Sequence, residues 1–388
     1  MHSDINFLID LVIILIAAGA GTIVCKRFGQ PRIVGQILAG ILIGSSVFGF
    51  VNDSVFINNL AEIGVILLMF LAGLETDYNE LKESFEKSSL IAIGGIIFPF
   101  ALGVLGIYIM KDNVQISEAV FLGVILTATS MGITVQSLNE MRKLKTKQGV
   151  SILGAAIIDD IVGIIILTIV LGIFGQGHTS ITVLLLKILS FFIIISFVRE
   201  LLSKFILKNI KIIKKIKPIY LLSISLILAL LFASFASDFG LAAIIGAYFI
   251  GVILSTTQLK HRVANEVSKF GHGFFIPIFF VNIGLGVQLN QVFDNLGIAV
   301  IITIIGIISK IIGSGIGAKL SGFSKKESLQ IGISMVPRAE VALIVANLGV
   351  VTGFIGNDIF TSIILLVIVS TILTPIMLKK AYEEDEIT

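Results

Sequence analysis

Residues 148–174 read QGVSILGAAIIDDIVGIIILTIVLGIF, an apolar run interrupted by two adjacent carboxylates, Asp159 and Asp160. About 20 apolar residues are enough for a helix to cross the hydrocarbon core of a bilayer, so this run reads as a membrane-spanning helix. At a rise of about 1.5 Å per residue, both aspartates fall near mid-membrane. An ionised carboxylate at that depth is expensive unless it is paired, hydrated or protonated. Successive helical residues point about 100° apart, so one aspartate can hold an ion in a cavity while the other meets a fixed countercharge. The plain alternative is a structural pair at a helix cap, but the middle of a long apolar run is no cap.

The whole chain has this character. Of its 388 residues, 56% are apolar and 14% are charged, and the mean hydropathy is +1.06. A soluble domain carries about 25% charge, so the composition is that of an integral membrane protein. It excludes a nucleic-acid-binding module, a secreted disulfide scaffold and most soluble enzymes. The single cysteine, Cys25, cannot form an intrachain disulfide, and His2, His178, His261 and His272 lack metal-ligand spacing. No zinc, haem or iron–sulfur cofactor is expected.

Apolar runs broken by polar punctuation mark thirteen segments, near 7–25, 31–50, 58–75, 88–109, 117–138, 148–174, 182–206, 216–235, 239–256, 264–285, 293–318, 327–350 and 356–378. The first run follows Asp4 and precedes Lys26 and Arg27, the reverse of a secretory signal. With the N-terminus outside, every one of the 28 Lys and Arg residues falls in an inner loop except Lys111, Lys187, Lys310 and Arg338. Cytoplasmic loops concentrate these residues, and a wrong segment count would have mixed the two sides. The expected topology is N-terminus out and C-terminus cytoplasmic, in the plasma membrane.

Two segments have polar centres: the fifth, at Thr127-Ala128-Thr129-Ser130, and the twelfth, at Val336-Pro337-Arg338-Ala339-Glu340. They lie seven segments apart, and an odd offset makes the two copies run oppositely across the bilayer. The expected fold is therefore an all-α polytopic membrane protein of thirteen transmembrane helices, with two inverted six-helix repeats joined by a linker helix. Interrupted helices at matching positions of such repeats point to the binding site of a secondary transporter.

Lys310, deep in segment 11, is the natural partner of the aspartates, since either helix end is too far for its ammonium to snorkel. Arg338 and Glu340 flank a proline break whose freed carbonyls and half-helix ends need partners. Neutralising those ends and serving transport are equally good readings of that pair. Thr127, Thr129 and Ser130 offer oxygen ligands of the kind small hard cations prefer, although Ser and Thr also pack commonly between membrane helices. Gly313-Ser314-Gly315-Ile316-Gly317 and the glycines Gly35, Gly40 and Gly44 read as close helix contacts rather than ligand sites.

At Asp159-Asp160, Lys310 and Pro337-Arg338-Ala339-Glu340 the chain resembles the monovalent cation:proton antiporter-2 family, and within it the NapA-type bacterial sodium/proton antiporters. Met69 to Glu75, Thr127 to Ser130 and Phe279 to Gly284 extend the resemblance over essentially the whole chain. It implies a homodimer whose protomers combine a dimer domain (1–87 and 216–292), a mobile core (88–181 and 293–388) and a linker helix (182–215). It also implies that Asp160 binds sodium or protons, that Asp159 pairs with Lys310, and that Thr129 and Ser130 line the ion site. Arg338, Glu340, Thr127 and Pro337 would support the crossing helices, and the core would move as an elevator between the two faces.

Two carboxylates and one ammonium in a desolvated site can be neutralised by sodium or by protons, not fully by both. Competition for one site then couples the fluxes, and electrogenic exchange of cytoplasmic sodium for external protons is the expected activity. Lithium or potassium as cargo, or a potassium/proton exchanger of the potassium-efflux type, is the runner-up. Efflux systems of that type typically carry Gln before the key Asp and append a nucleotide-binding domain; here that position is Asp159 and the chain stops shortly after the last segment. A solute symporter would need a larger polar cavity, and a purely structural scaffold has no use for charges at mid-membrane. The partners expected are therefore sodium, protons and membrane lipid, with no nucleic acid and no enzymatic chemistry.

Overall fold

The computed structural model describes residues 6–28, 30–52, 54–111, 113–174, 181–213, 216–286 and 296–383, and every regular element among them is helical. In chain order these are α1 (Asn6–Arg27), α2 (Arg32–Ile43), α3 (Val55–Glu75), α4 (Tyr78–Glu83), α5 (Phe85–Met110), α6 (Ile116–Thr127), α7 (Met131–Glu140), α8 (Lys147–Phe174) and α9 (Ile181–Ile213). There follow α10 (Pro218–Asp238), α11 (Ala243–Ser255) and α12 (Lys260–Phe270), which runs through a π-helical turn, Gly271–Phe275, into α13 (Ile276–Leu285). The last four are α14 (Leu296–Leu320), α15 (Lys325–Ser334), α16 (Glu340–Val351) and α17 (Asn357–Glu383).

Ten helical stretches among the described residues are long and apolar enough to cross a membrane, and Arg32–Ile43, Ala243–Ser255 and Val341–Val350 are shorter apolar helices. The protein is thus a multi-pass membrane protein. Helix starts carry the expected local chemistry: Ser324 and Glu327 form a reciprocal capping box at α15, and Pro218 opens α10 where its missing N–H is harmless. The two polar centres seen in the sequence are breaks. One separates α6 from α7 at 128–130, and the other separates α15 from α16 at 335–339. In the second, Pro337 has no N–H to continue the ladder and disfavours helical geometry at Val336.

The helices pack as two groups. In one, α3 lies along α11, α2 between α1 and α13, and α10 along α11; in the other, α14 lies along α5 and touches α15 and α17, while α5 also meets α6 and α8. Small residues set the close crossings, since backbones in a bilayer approach only where side chains are absent. A Cβ on Gly313 would collide with the Gly94 carbonyl, and one on Gly317 with the Leu90 carbonyl. Gly40 and Gly284 meet each other's helices in the same way, so these glycines are helix contacts, as their sequence pattern suggests. At one end of the second group, Lys111 Nζ lies 2.8 Å from Glu118 Oε1 and 3.1 Å from Asp358 Oδ2, tying the end of α5 to the starts of α6 and α17. The Glu118 hydrogen bond, more than any other contact, holds the Lys111 ammonium above its ordinary pKa.

The Gly94–Gly313 contact makes a direct prediction. Gly313→Val forces α14 off α5 and should lower stability by about 1–3 kcal/mol, the usual cost of overpacking. Gly297→Ala on the same helix, where a Cβ meets nothing within 4 Å, should leave the melting temperature of the detergent-solubilised protein unchanged.

Candidate functional site

The two breaks face each other, and the strands of backbone that pass through them are joined. The Ser130 N–H donates to the Pro337 carbonyl at 2.6 Å. Thr134 Oγ1 donates to the Ser334 carbonyl at 2.7 Å, and Thr129 Oγ1 lies 3.4 Å from the Met335 carbonyl. The segment from Thr129 to Thr134 therefore supplies donors to the carbonyl end of α15 and to the Pro337 carbonyl beyond it, groups that lack a full set of intrahelical partners.

Lys310, from the middle of α14, is fully buried at this crossing. Its ammonium has three protons and three acceptors: the Gly95 carbonyl at 2.8 Å, the Thr127 carbonyl at 2.8 Å and Asp159 Oδ2 at 2.7 Å. Asp159 Oδ2 also accepts from Thr129 Oγ1 at 2.6 Å. The ion pair is inaccessible on both sides, with side-chain exposures of 0% and 1%. Asp160, on the next position of α8, is buried as well at 9% exposure. Asp159 Oδ1 and the Ser130 hydroxyl are buried with no hydrogen-bond partner, which is unusual for interior polar atoms.

Arg338 is the second buried cation, also at 0% exposure. Its Nη1 donates to the Val336 carbonyl at 2.9 Å, and its Nη2 donates to the Leu126 carbonyl and, at 3.3 Å, to the Gly306 carbonyl. Its own backbone is clasped by α17, where Ser370 Oγ accepts from the Arg338 N–H and Thr371 Oγ1 donates to the Arg338 carbonyl. Leu126 and Thr127 are the last residues of α6. Both cations thus sit at the negative end of that half-helix, whose macrodipole is worth about half a charge.

Of the residues singled out in the sequence, Asp159, Lys310, Thr129, Ser130, Pro337 and Arg338 meet here through the contacts above. Thr127 takes part through its carbonyl, because its hydroxyl is turned to Val124 within the same helix. The side chain of Glu340 lies outside the described residues. No sequence signal pointed to Gly95, Gly306 or Leu126, which act through backbone carbonyls that every residue possesses. It also passed over Glu140, at the end of α7, which accepts from the Arg32 N–H of α2 at 2.9 Å and from Gln136 Nε2 at 3.1 Å and so joins the two helix groups.

The sodium/hydrogen exchanger transmembrane family model matches residues 12–382. The chain belongs to this family. It is therefore a transporter of the antiporter class rather than an enzyme. A probable Na(+)/H(+) antiporter of Bacillus cereus, GerT, is 39% identical over 97% of this chain and 99% of its own length. The Na(+)/H(+)-K(+) antiporter GerN of the same organism is 36% identical over 98% and 97%, and a Na(+)/H(+) antiporter of Enterococcus hirae is 36% identical over 96% and 97%. Among solved structures, the sodium proton antiporter MjNhaP1 of Methanocaldococcus jannaschii superposes with a TM-score of 0.70 at 16% identity over 97% of both chains, a likeness of fold.

The ion pair predicts a coupled pair of mutations. Lys310→Ala leaves a buried carboxylate without its countercharge and should cost about 3–5 kcal/mol of stability. Adding Asp159→Asn should restore part of that loss. Thermal unfolding of the two single variants and the double variant measures the coupling, and additive effects would mean that the pair is not an interacting unit.

Proposed function

We propose that the chain exchanges sodium for protons across the plasma membrane at the crossing of α6–α7 with α15–α16. The observation that carries this reading is the buried Asp159–Lys310 ion pair beside a second buried carboxylate, Asp160. A fixed cation neutralises one aspartate and leaves the other as the group a mobile cation can neutralise. Asp160 is assigned as the carrier of sodium or of protons. The unpartnered Ser130 hydroxyl and Asp159 Oδ1 of the same crossing are oxygen donors of the kind a small hard cation takes. Thr129 holds Asp159 in place, and Arg338, Pro337 and Thr127 keep the crossing closed around the site, with Glu340 as a further support of that crossing. The similarity of these motifs to the NapA-type antiporters supports the same assignment.

The packing supports alternating access. The group containing α5, α6, α8 and α14–α17 carries every site residue, and the group of α1–α3, α10, α11 and α13 carries none. The first moves as an elevator core (88–181 and 293–388) against the second, the dimer domain (1–87 and 216–292), with α9 as linker (182–215). The three shorter apolar helices also cross the bilayer in this reading, giving thirteen spans in two inverted repeats, N-terminus outside and C-terminus in the cytoplasm. Two copies associate through the dimer domain.

The exchange is electrogenic. If two protons replace one sodium, one net charge crosses per cycle, worth about 2.3 kcal/mol per 100 mV, and an inside-negative potential drives sodium outward. The protonation states of so tightly coupled a cluster belong to the cluster rather than to single residues, so the claim rests on the net charge. Potassium is a second cargo to test, because one relative carries K(+) in its name.

Two experiments in proteoliposomes test the reading. Asp160→Asn keeps the shape of the side chain but can neither release a proton nor neutralise a cation, so sodium-driven proton movement should vanish while the protein stays folded; substantial residual exchange rules out the assigned role. With ion gradients fixed and the potential clamped by ionophore, wild-type exchange should speed up in one polarity and slow in the other. A rate indifferent to potential would replace the electrogenic reading by one-for-one exchange.

A further inference from the structure

A cavity lined by none of the residues assigned to the ion site lies between α4, α5, α8, α9 and α11, with a volume of about 490 Å³. That is within the range of roughly 300–1,000 Å³ that holds small ligands, and the lining is apolar in composition. Ser88, Gly154 and Ile157 are buried residues of its wall, and the Ser88 hydroxyl is committed to the Ser151 carbonyl at 3.1 Å. Phe85, also in the wall, is 65% exposed, so the cavity reaches the outside of the helix bundle. Its lining helices α5, α8 and α9 are membrane-spanning stretches. What meets such an opening at that depth is lipid.

One end of the cavity is cationic. Lys82 lines it, and among the charged residues described on α4 and the first turn of α5, Lys82 alone does so; Glu83, Glu86 and Lys87 do not. Tyr78 lines the same end, and the guanidinium of Arg199, from α9, stacks on its ring at 3.8 Å from the centroid. The stack brings a second cation to the side of the cavity where Lys82 stands, while holding α9 against α4. Among the described residues no carboxylate forms an ion pair with Lys82, and the guanidinium of Arg199 lies over the Tyr78 ring, with the exposed Glu200 beside it paired to Lys204.

We infer that this cavity binds one anionic phospholipid of the surrounding membrane, an acyl chain between α8 and α9 and the headgroup phosphate on Lys82 and Arg199. An apolar slot with two cations at one end matches a phospholipid in both shape and charge, and anionic lipids are drawn to such basic residues at the membrane surface. Ile158, Ile161 and Val162 of α8 also line the slot and flank Asp159 and Asp160 in sequence, so the bound chain packs on the helix that carries the aspartates. The inference rests on the membrane placement of the chain and not on the transport reading. An exchange-dead Asp160→Asn protein should bind the lipid as the wild type does.

Native mass spectrometry of the full-length protein released from detergent tests it, with phosphatidylglycerol and phosphatidylcholine of identical chains as probes. Wild type should retain phosphatidylglycerol in preference to phosphatidylcholine. Lys82→Gln and Arg199→Gln should each weaken phosphatidylglycerol retention by about five-fold, the worth of one basic residue near a membrane surface. Lys204→Gln, an exposed lysine paired with Glu200 on α9, should have no effect. Leu81→Trp fills the slot and should abolish retention of both lipids. Equal retention of the two lipids by wild type, or wild-type retention of phosphatidylglycerol by both Lys82→Gln and Arg199→Gln, overturns the proposal. So does displacement of the phospholipid by a free fatty acid at equal concentration.

Discussion

A helix that stops in the middle of a membrane leaves backbone carbonyls with no water to bond them. This constraint organises the centre of the molecule. The carbonyl end of α6 is exposed at the break and would be costly in a low-dielectric surrounding. Lys310 and Arg338 meet it together, the first through the Thr127 carbonyl and the second through the Leu126 carbonyl. Both cations are fully buried, so each in turn needs acceptors and countercharge. The supply comes from α5, α8 and α14, and the broken helix therefore holds its whole neighbourhood in register.

The two cations differ in what they leave available. Arg338 is surrounded by carbonyls and anchored through its own backbone to Ser370 and Thr371 of α17. It is a fixture of the crossing. Lys310 shares its three protons between two carbonyls and a carboxylate, and a carboxylate, unlike a carbonyl, can change its charge. A Lys–Asp contact at the membrane centre is thus a place in the network where proton number can alter a bond. That the next residue of α8 is a second aspartate is what turns a structural ion pair into a site with a charge to exchange, in the function proposed above.

Close packing makes this arrangement possible. Lys310 reaches the Gly95 carbonyl because α14 and α5 touch at Gly94, Gly313 and Gly317, where any side chain would hold the backbones apart. The same device, Gly40 against α13 and Gly284 against α2, binds the other helix group. Between the groups lie contacts of another kind, made through side chains rather than by backbone on backbone: the polar link from Glu140 to the start of α2, and the apolar surface where the Phe279 and Val65 side chains lie against Gly132 of α7. An interface of that sort is easier to slide than interlocked glycine seams, which supports the proposed function, in which one group moves against the other.

The sequence by itself determined the membrane setting, the helical class and the identity of the charged side chains at depth. Each of these rests on local composition: apolar runs of bilayer length, and Asp159, Asp160, Lys310 and Arg338 standing inside them where charge is costly. It also located both helix breaks, because Pro337 and the Thr-Ala-Thr-Ser centre interrupt an otherwise uniform pattern. Tertiary structure decided the partners. Residue 310 meets residue 159 across 151 positions of chain, and no local rule says which of two adjacent aspartates faces the lysine. The carbonyls of Gly95, Gly306 and Leu126 were illegible for a simpler reason, since every residue carries one and only packing determines which lie within reach of a buried cation. Thr127 stood out by its place at a helix break, but only packing decided that its hydroxyl satisfies its own helix and its carbonyl meets Lys310.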